Sequence, residues 1–229
     1  LFIDGITSKS EICGDSLEPN ELKFWKRLEF NESEFLTQIH WSNRRLTGSL
    51  AFEWLPSTVT HVYLYNNSVT GSVNLRDLPD GMRMLVLSSN QLTGEIDLAS
   101  LPSTFEQITV SQNKLCGTLD LDHLPDRLQK LYLYRNMFVG TISLTNLPQS
   151  MKILHLHENR LSGIIDVTRL PPMMQKLLLN HNQFEGMTDF SQLPESMEEF
   201  DVSHTNLEGT IRHLPKLVVR ANGTQVQCV

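Results

Sequence analysis

From about residue 39 onward, apolar residues recur on a fixed period. Two core positions one residue apart, as in Leu85-Val86-Leu87 or Leu131-Tyr132-Leu133, are followed by an asparagine, a leucine and a glycine at constant offsets. The unit reads Leu-x-Leu-x-x-Asn-x-Leu-x-Gly. Its asparagines are Asn67, Asn90, Asn113, Asn136, Asn159 and Asn182, each 23 residues after the last. Glycines keep the same step from Gly48 to Gly209, and prolines from Pro56 to Pro194. Three residue types locked to one period define a repeat architecture, which has to be recognised before any single element is assigned.

One unit translates directly into local structure. The Leu-x-Leu triplet alternates with period two, so it predicts a short strand with its outer residues in the core and its middle residue outside. Proline cannot donate to a strand ladder, so the proline register lies away from the strand, on the return path of each coil. Return segments this short predict 3₁₀ or irregular turns instead of α-helices. Leu92 and Ile96 fill the core between strand and return. The asparagine amide is expected to bond backbone groups of the neighbouring coil, because buried backbone donors and acceptors must be paired. A single coil cannot bury its own apolar face, but stacked coils bury a continuous one. The expectation is a solenoid of about nine coils with a parallel β-sheet on its concave face.

The pattern bends at both ends. Arg44 holds the asparagine position in the first coil, Ile39-His40-Trp41, and Thr205 holds it in the eighth, Phe200-Asp201-Val202. A ninth strand, Leu217-Val218-Val219 with Asn222, arrives early. Terminal coils of solenoids are atypical because nothing stacks on them. The sequence therefore divides into an amino-terminal cap (1–38), eight repeats (39–216) and a capping strand and tail (217–229). Within the cap, Pro19 and Asn20 precede Leu22, Phe24, Trp25 and Leu28, predicting a short helix near 20–30 whose aromatic face covers the first coil.

The units Leu92-Thr93-Gly94-Glu95-Ile96 and Leu161-Ser162-Gly163-Ile164-Ile165 resemble the plant-type leucine-rich-repeat class. The stretches Asp97-Leu98-Ala99-Ser100-Leu101-Pro102 and Asp120-Leu121-Asp122-His123-Leu124-Pro125 are similar to repeat arrays of protists, kinetoplastids above all. The resemblance covers roughly residues 39–222. It implies a leucine-rich-repeat solenoid with short second strands on the return side, and protein recognition through the concave sheet.

Composition narrows the picture only a little. The formal net charge of −7 argues against nucleic acid as the main partner, since phosphate binding needs clustered Lys and Arg. No apolar run reaches the length of a membrane span. The chain opens on Leu1, which fits a processed start or a fragment of a longer protein. Cys13, Cys116 and Cys228 fall several coils apart, on the order of 15–20 Å by strand spacing, whereas a disulfide needs Cα atoms within about 7 Å. Unpaired cysteines fit a reducing, intracellular compartment better than secretion. Three glycosylation sequons, at Asn31, Asn66 and Asn222, are no more than this composition produces and leave the compartment open.

The repeat register also assigns side chains to the concave face: the residue between the two core positions and the next two after the second. The first column runs His40, Tyr63, Val86, Thr109, Tyr132, His155, Leu178 and Asp201. The second runs Ser42, Tyr65, Ser88, Ser111, Tyr134, His157, Asn180 and Ser203. The third runs Asn43, Asn66, Ser89, Gln112, Arg135, Glu158, His181 and His204. These columns hold 24 of 229 residues but nine of the twelve Tyr and His. Rigid amphipathic rings gathered on a solvated face are the compositional mark of an interface. The expected partner-binding residues are Tyr63, Tyr65, Tyr132, Tyr134, Arg135, His155, His157, Glu158, His181 and His204. With an ordinary histidine pKa near 6.5, binding through them should vary between about pH 7.5 and 5.5.

Chemistry finds little support. Glu158, His181 and His204 form a row that invites a metal, but an open row lacks the convergence a tetrahedral site needs. Asp97, Asp120, Asp166 and Asp189 recur at the repeat period, which points to turn hydrogen bonds and not a catalytic pair. No phosphate loop or nucleophile elbow is present, and no cofactor is expected. The sequence thus reads as a non-catalytic protein-interaction module. The alternatives are a structural subunit held by its edges or caps, and the ectodomain of a surface receptor or adhesin.

Overall fold

The computed structural model describes residues 2–14, 20–212 and 214–229. Among these, the strands form two sheets wound into nine coils. The concave sheet has ten strands: Leu28–Phe30 antiparallel at one edge, then nine parallel strands from Leu36–His40 to Val218–Arg220. The return sheet has nine, from Thr47–Ser49 to Gln225–Cys228. Register follows the sequence period, so Lys130, Leu131 and Tyr132 pair with Ile153, Leu154 and His155. Identical repeat positions therefore stack directly in the concave sheet, whereas the return strands pair two residues out of that register, Val139 opposite Arg160 and Gly140 opposite Leu161. Between the sheets lies one continuous core, to which the inner coils contribute equivalent residues, such as Leu85, Leu87, Leu92, Ile96 and Leu98.

The return path turns as the prolines require. Short 3₁₀ segments occur at Phe52–Trp54, Leu75–Asp77 and Leu98–Ser100. Each repeat proline then accepts a bond from the amide three residues on, as Phe105 to Pro102 at 3.0 Å. Hydroxyls at a second repeat position tie this turn to the coil before: Thr104 donates to the Asp80 and Met82 carbonyls, and Ser150 to those of Asp126 and Leu128.

The asparagines carry the neighbour contacts expected of them. The Asn113 Oδ1 accepts from the Leu92 amide of the preceding coil at 3.0 Å. Its Nδ2 donates to Leu87 of that coil at 3.1 Å and to Val110 of its own at 3.0 Å. Asn67, Asn90, Asn136, Asn159 and Asn182 make the same three contacts. Thr205 is too short: its Oγ1 donates to Val202 of its own coil and does not cross to the neighbour.

The ends differ from expectation in two ways. Instead of a helix over 20–30, a 3₁₀ turn at Leu22–Phe24 leads into the strand Leu28–Phe30, with Arg27 at a positive φ of 59° between them. The open edge of the first concave strand needs backbone partners, and an antiparallel strand supplies them where a helix could not. Pro19 lies outside the described residues. Of the expected aromatic cover, Trp25 packs at 6.2 Å from Trp41, while Phe24 is 64% exposed. Phe2 completes the cover by stacking on Trp41 at 5.9 Å. Trp41 is buried, and its Nε1 donates to the Lys26 carbonyl.

At the other end the last coil is Val219-Arg220-Ala221, not Leu217-Val218-Val219. Val219 pairs with the core residue Phe200 and Arg220 with Asp201. Leu217 instead takes the buried return position that Met197 holds one coil earlier, its amide bonded to Leu214 as Met197 is to Pro194. The return is four residues shorter than the period, Val219 following its counterpart Phe200 by 19 residues instead of 23, and the core triplet begins two residues after the expected one. Thr224 then occupies the asparagine position and, like Thr205, donates within its own coil, to Ala221. The expected tail is ordered as a strand of the return sheet, Gln225–Cys228.

Asn113→Ala strands one amide and two carbonyls in the interior. At about 1–3 kcal/mol for each unsatisfied group, partly relieved by water, we expect a loss of about 2–4 kcal/mol in urea unfolding. A loss below about 1 kcal/mol would show that the amide is dispensable.

Candidate functional site

The first two predicted columns lie on the concave sheet and its continuation. The third does not. Asn43, Asn66, Ser89, Gln112, Arg135, Glu158, His181 and His204 all adopt φ between 53° and 58°. A non-glycine residue in the left-handed region costs on the order of 1 kcal/mol. The turn swings the chain out of the strand so that the following asparagine points inward. The column therefore lies on the rim, and its side chains bond in successive pairs: Asn66 to Asn43 at 2.6 Å, Ser89 to Gln112 at 3.1 Å, and Arg135 to Glu158 at 2.8 Å. His181 stacks on His204 at 4.3 Å. Glu158 thus turns towards Arg135, and among the described residues no three His, Cys, Asp or Glu side chains converge as metal ligands. Gly223 fills this rim position in the last coil, with φ 73°.

On the sheet, the rings gather into two clusters. In the first, Tyr63 stacks on His40 at 4.8 Å with His61 at 6.2 Å, and Tyr65 stands 44% exposed beside them. The second is denser. Tyr134 stacks on His157 at 4.4 Å with an 8° interplanar angle. Tyr132 meets the edge of His155 at 5.0 Å, and the two imidazoles lie 5.7 Å apart. All four side chains are half-buried. Parallel register places equivalent residues of adjacent coils one strand spacing apart, about 4.8 Å, which is ring-stacking distance.

This crowding changes the electrostatics. Burial pushes His155 down to about 4, and the neighbouring His157 adds to the effect. His157 and His61 are also lowered, mainly by burial. Burial raises Tyr63 and Tyr132 above the usual phenol range. The protonation expected near pH 6 therefore does not occur at His155, which stays neutral through that window. The second cluster is an uncharged surface with charges on its borders. Arg135 holds the Glu158 carboxyl below the usual carboxylate range on the rim.

The opposite border is a column that sequence reading passed over: the residue before the first core position. It runs Gln38, His61, Met84, Gln107, Lys130, Ile153, Lys176 and Glu199, and it lies within the strands. The period-two rule that assigns the middle residue outward assigns this one outward too. Lys176 pairs with Glu199 at 3.0 Å, and Glu199 also accepts a short bond from Arg220. The recurring aspartates meanwhile order their own turns. Asp120, Asp166 and Asp189 accept from the amides of Asp122, Thr168 and Ser191.

The nine-coil parallel solenoid is similar to solved leucine-rich-repeat structures. The Arabidopsis receptor kinase HAESA, solved with the peptide hormone IDA and the co-receptor SERK1, superposes with a TM-score of 0.64 at 20% identity, covering 97% of this chain and 48% of that one. The PEPR1–AtPEP1 structure gives 0.64 at 19%, covering 92% and 34%. YopM from Yersinia enterocolitica gives 0.59 at 25%, covering 75% and 35%. The chain thus spans between about a third and a half of these proteins' lengths. No protein-family model and no curated protein sequence matches it. The fold is a leucine-rich-repeat solenoid, and among the described residues no helix is long and apolar enough to cross a membrane.

A histidine held below its ordinary pKa favours folding in its neutral form. Its contribution is complete above about pH 6.5 and is lost as pH falls towards the folded value near 4. We expect unfolding free energy to drop by about 1 kcal/mol between about pH 7 and 5, after allowance for solvent screening. In His155→Phe this slope should flatten. A wild-type stability flat over that range would refute the burial argument.

Proposed function

We propose that this protein is a non-catalytic protein-interaction module whose partner docks on the concave face, centred on Tyr132, Tyr134, His155 and His157. The observation that supports this most is the half-buried ring cluster, already packed together in the unbound chain, edge-on between Tyr132 and His155 and stacked between Tyr134 and His157. Rings held by stacking lose little further freedom on binding, and aromatic side chains dominate the energetics of most interfaces. Neutral imidazoles lower the desolvation cost of covering the patch. Arg135 and Glu158 on the rim and Lys130 and Lys176 on the entry side would set partner orientation, as border charges do. Tyr63 and Tyr65 form a second, smaller contact area, and His181 with His204 extends the rim.

The HAESA and PEPR1 structures hold a peptide or protein partner, which fits this reading by analogy of fold. The Asp-Leu-x-x-Leu-Pro return supports placing the repeats beside the protist arrays of plant-type character. The Cys116 and Cys228 thiols are unpaired, which favours an intracellular setting.

Changing Tyr132 and Tyr134 together to Ala should reduce partner recovery at least about tenfold when the tagged protein is isolated from its own cells and its companions are quantified by mass spectrometry. The half-buried rings also stabilise the coils, so circular dichroism must show the variant folded. Undiminished recovery from a folded variant would move the interface to the edges or caps and sink the concave reading.

A further inference from the structure

All three tryptophans of the chain, Trp25, Trp41 and Trp54, line one cavity of about 90 Å³ between the amino-terminal cap and the first coil. The remaining walls are Phe2 and aliphatic residues, Leu22, Leu28 and Pro56 among them. Trp25 and Trp41 are held in place by their ring N–H groups, which donate to the backbone carbonyls of Asn20 and Lys26 at 2.7 and 3.0 Å. Phe2 in turn stacks on Trp41. These rings are fixed before anything enters the cavity.

The mouth is open to solvent. Trp54 is 64% exposed, Leu22 is 38% exposed, and Pro56 is exposed beside them. The repeat supplies a control for Trp54. At 23-residue steps after it come Asp77, Ser100, His123, Asn146, Arg169 and Gln192, every one polar. The return path therefore does not call for an indole at this place, and a large ring left in water marks a contact surface. An unfilled apolar cavity also costs stability. Both costs fall when an apolar group closes the cavity against the Trp54 ring.

Chemistry and size together select what fits. Apart from the indole N–H groups, no lining side chain carries a polar atom. A charged group or a sugar would lose its water and gain no partner. Water itself needs two or more polar partners, which these side chains do not offer. Pockets for ligands of metabolite size measure about 300 Å³ or more, so a volume of about 90 Å³ holds a single ring or a branched alkyl group and no long chain. We propose that this cavity is a binding site for one such compact apolar group, either a free molecule or a side chain of a partner. The Tyr132 strip lies in the fifth and sixth coils, so the two sites are separate.

Saturation-transfer NMR with toluene tests this, with acetyl-phenylalanine amide as the same ring carried on a backbone. Toluene should bind saturably with a Kd on the order of 0.1–1 mM, as the burial of one ring implies. Tryptophan emission should shift along the same curve, because all three indoles border the cavity. Trp54→Ser, which installs the residue found two coils later, should weaken binding about tenfold and leave the Tm within a few degrees, since the ring is exposed. Leu28→Phe, which fills the cavity, should weaken it at least as much. The paired Tyr132 and Tyr134 change should leave toluene binding unaltered, whatever it does to partner recovery. Displacement of toluene by the amide identifies a side-chain anchor, and binding of toluene alone identifies a site for a free molecule; either upholds the proposal. Absence of saturation by toluene overturns it. So does an unmoved tryptophan emission, or binding indifferent to both Trp54→Ser and Leu28→Phe.

Discussion

A side-chain amide that bonds two coils at once holds this molecule together. Leaving a strand after three residues exposes amides and carbonyls that no ladder can pair, once per coil, in the interior. Each asparagine accepts from one coil and donates to two, converting a repeated liability into a repeated tie. The amide reaches them only because the residue before it turns left-handed, at φ between 53° and 58° in the eight rim positions. Rim strain and interior bonding are therefore one device.

The concave face follows from the same constraint. Stacking at the repeat period brings each outward side chain of the concave sheet beside its counterparts one coil away. Where those counterparts are Tyr132 and His155, or Tyr134 and His157, the rings pack against one another and lose water. Desolvation then keeps His155 neutral far below its ordinary range. The result is a rigid aromatic strip with ion pairs at its margins, not a histidine cluster poised to charge.

Much of this was legible in the sequence because the signal is repeated. Strand triplets, buried leucines, proline turns and the bridging role of the asparagines all follow from spacing and the need to pair backbone groups. The rim conformation was not legible, since Asn, Ser, Gln, Arg, Glu and His share no property that announces a positive φ. The column through Lys130 and Lys176 faces outward by the same period-two rule, one residue ahead of the triplet that marks the repeat. The last coil was misread because its return is shortened: Leu217-Val218-Val219 looks like a strand triplet, yet Leu217 belongs to the turn. The depressed pKa of His155 depends on neighbours 23 residues away in the chain and on burial that no single unit reveals.

The central claim is that the partner covers the Tyr132 to His157 strip. The most direct measurement is the NMR spectrum of the Tyr and His rings, recorded with and without the co-purified partner. The account predicts that the ring signals of Tyr132, Tyr134, His155 and His157 shift most and that His155 shows no protonation step above about pH 5 in either state. Shifts confined to return-side or cap residues, with these four rings unmoved, would contradict it.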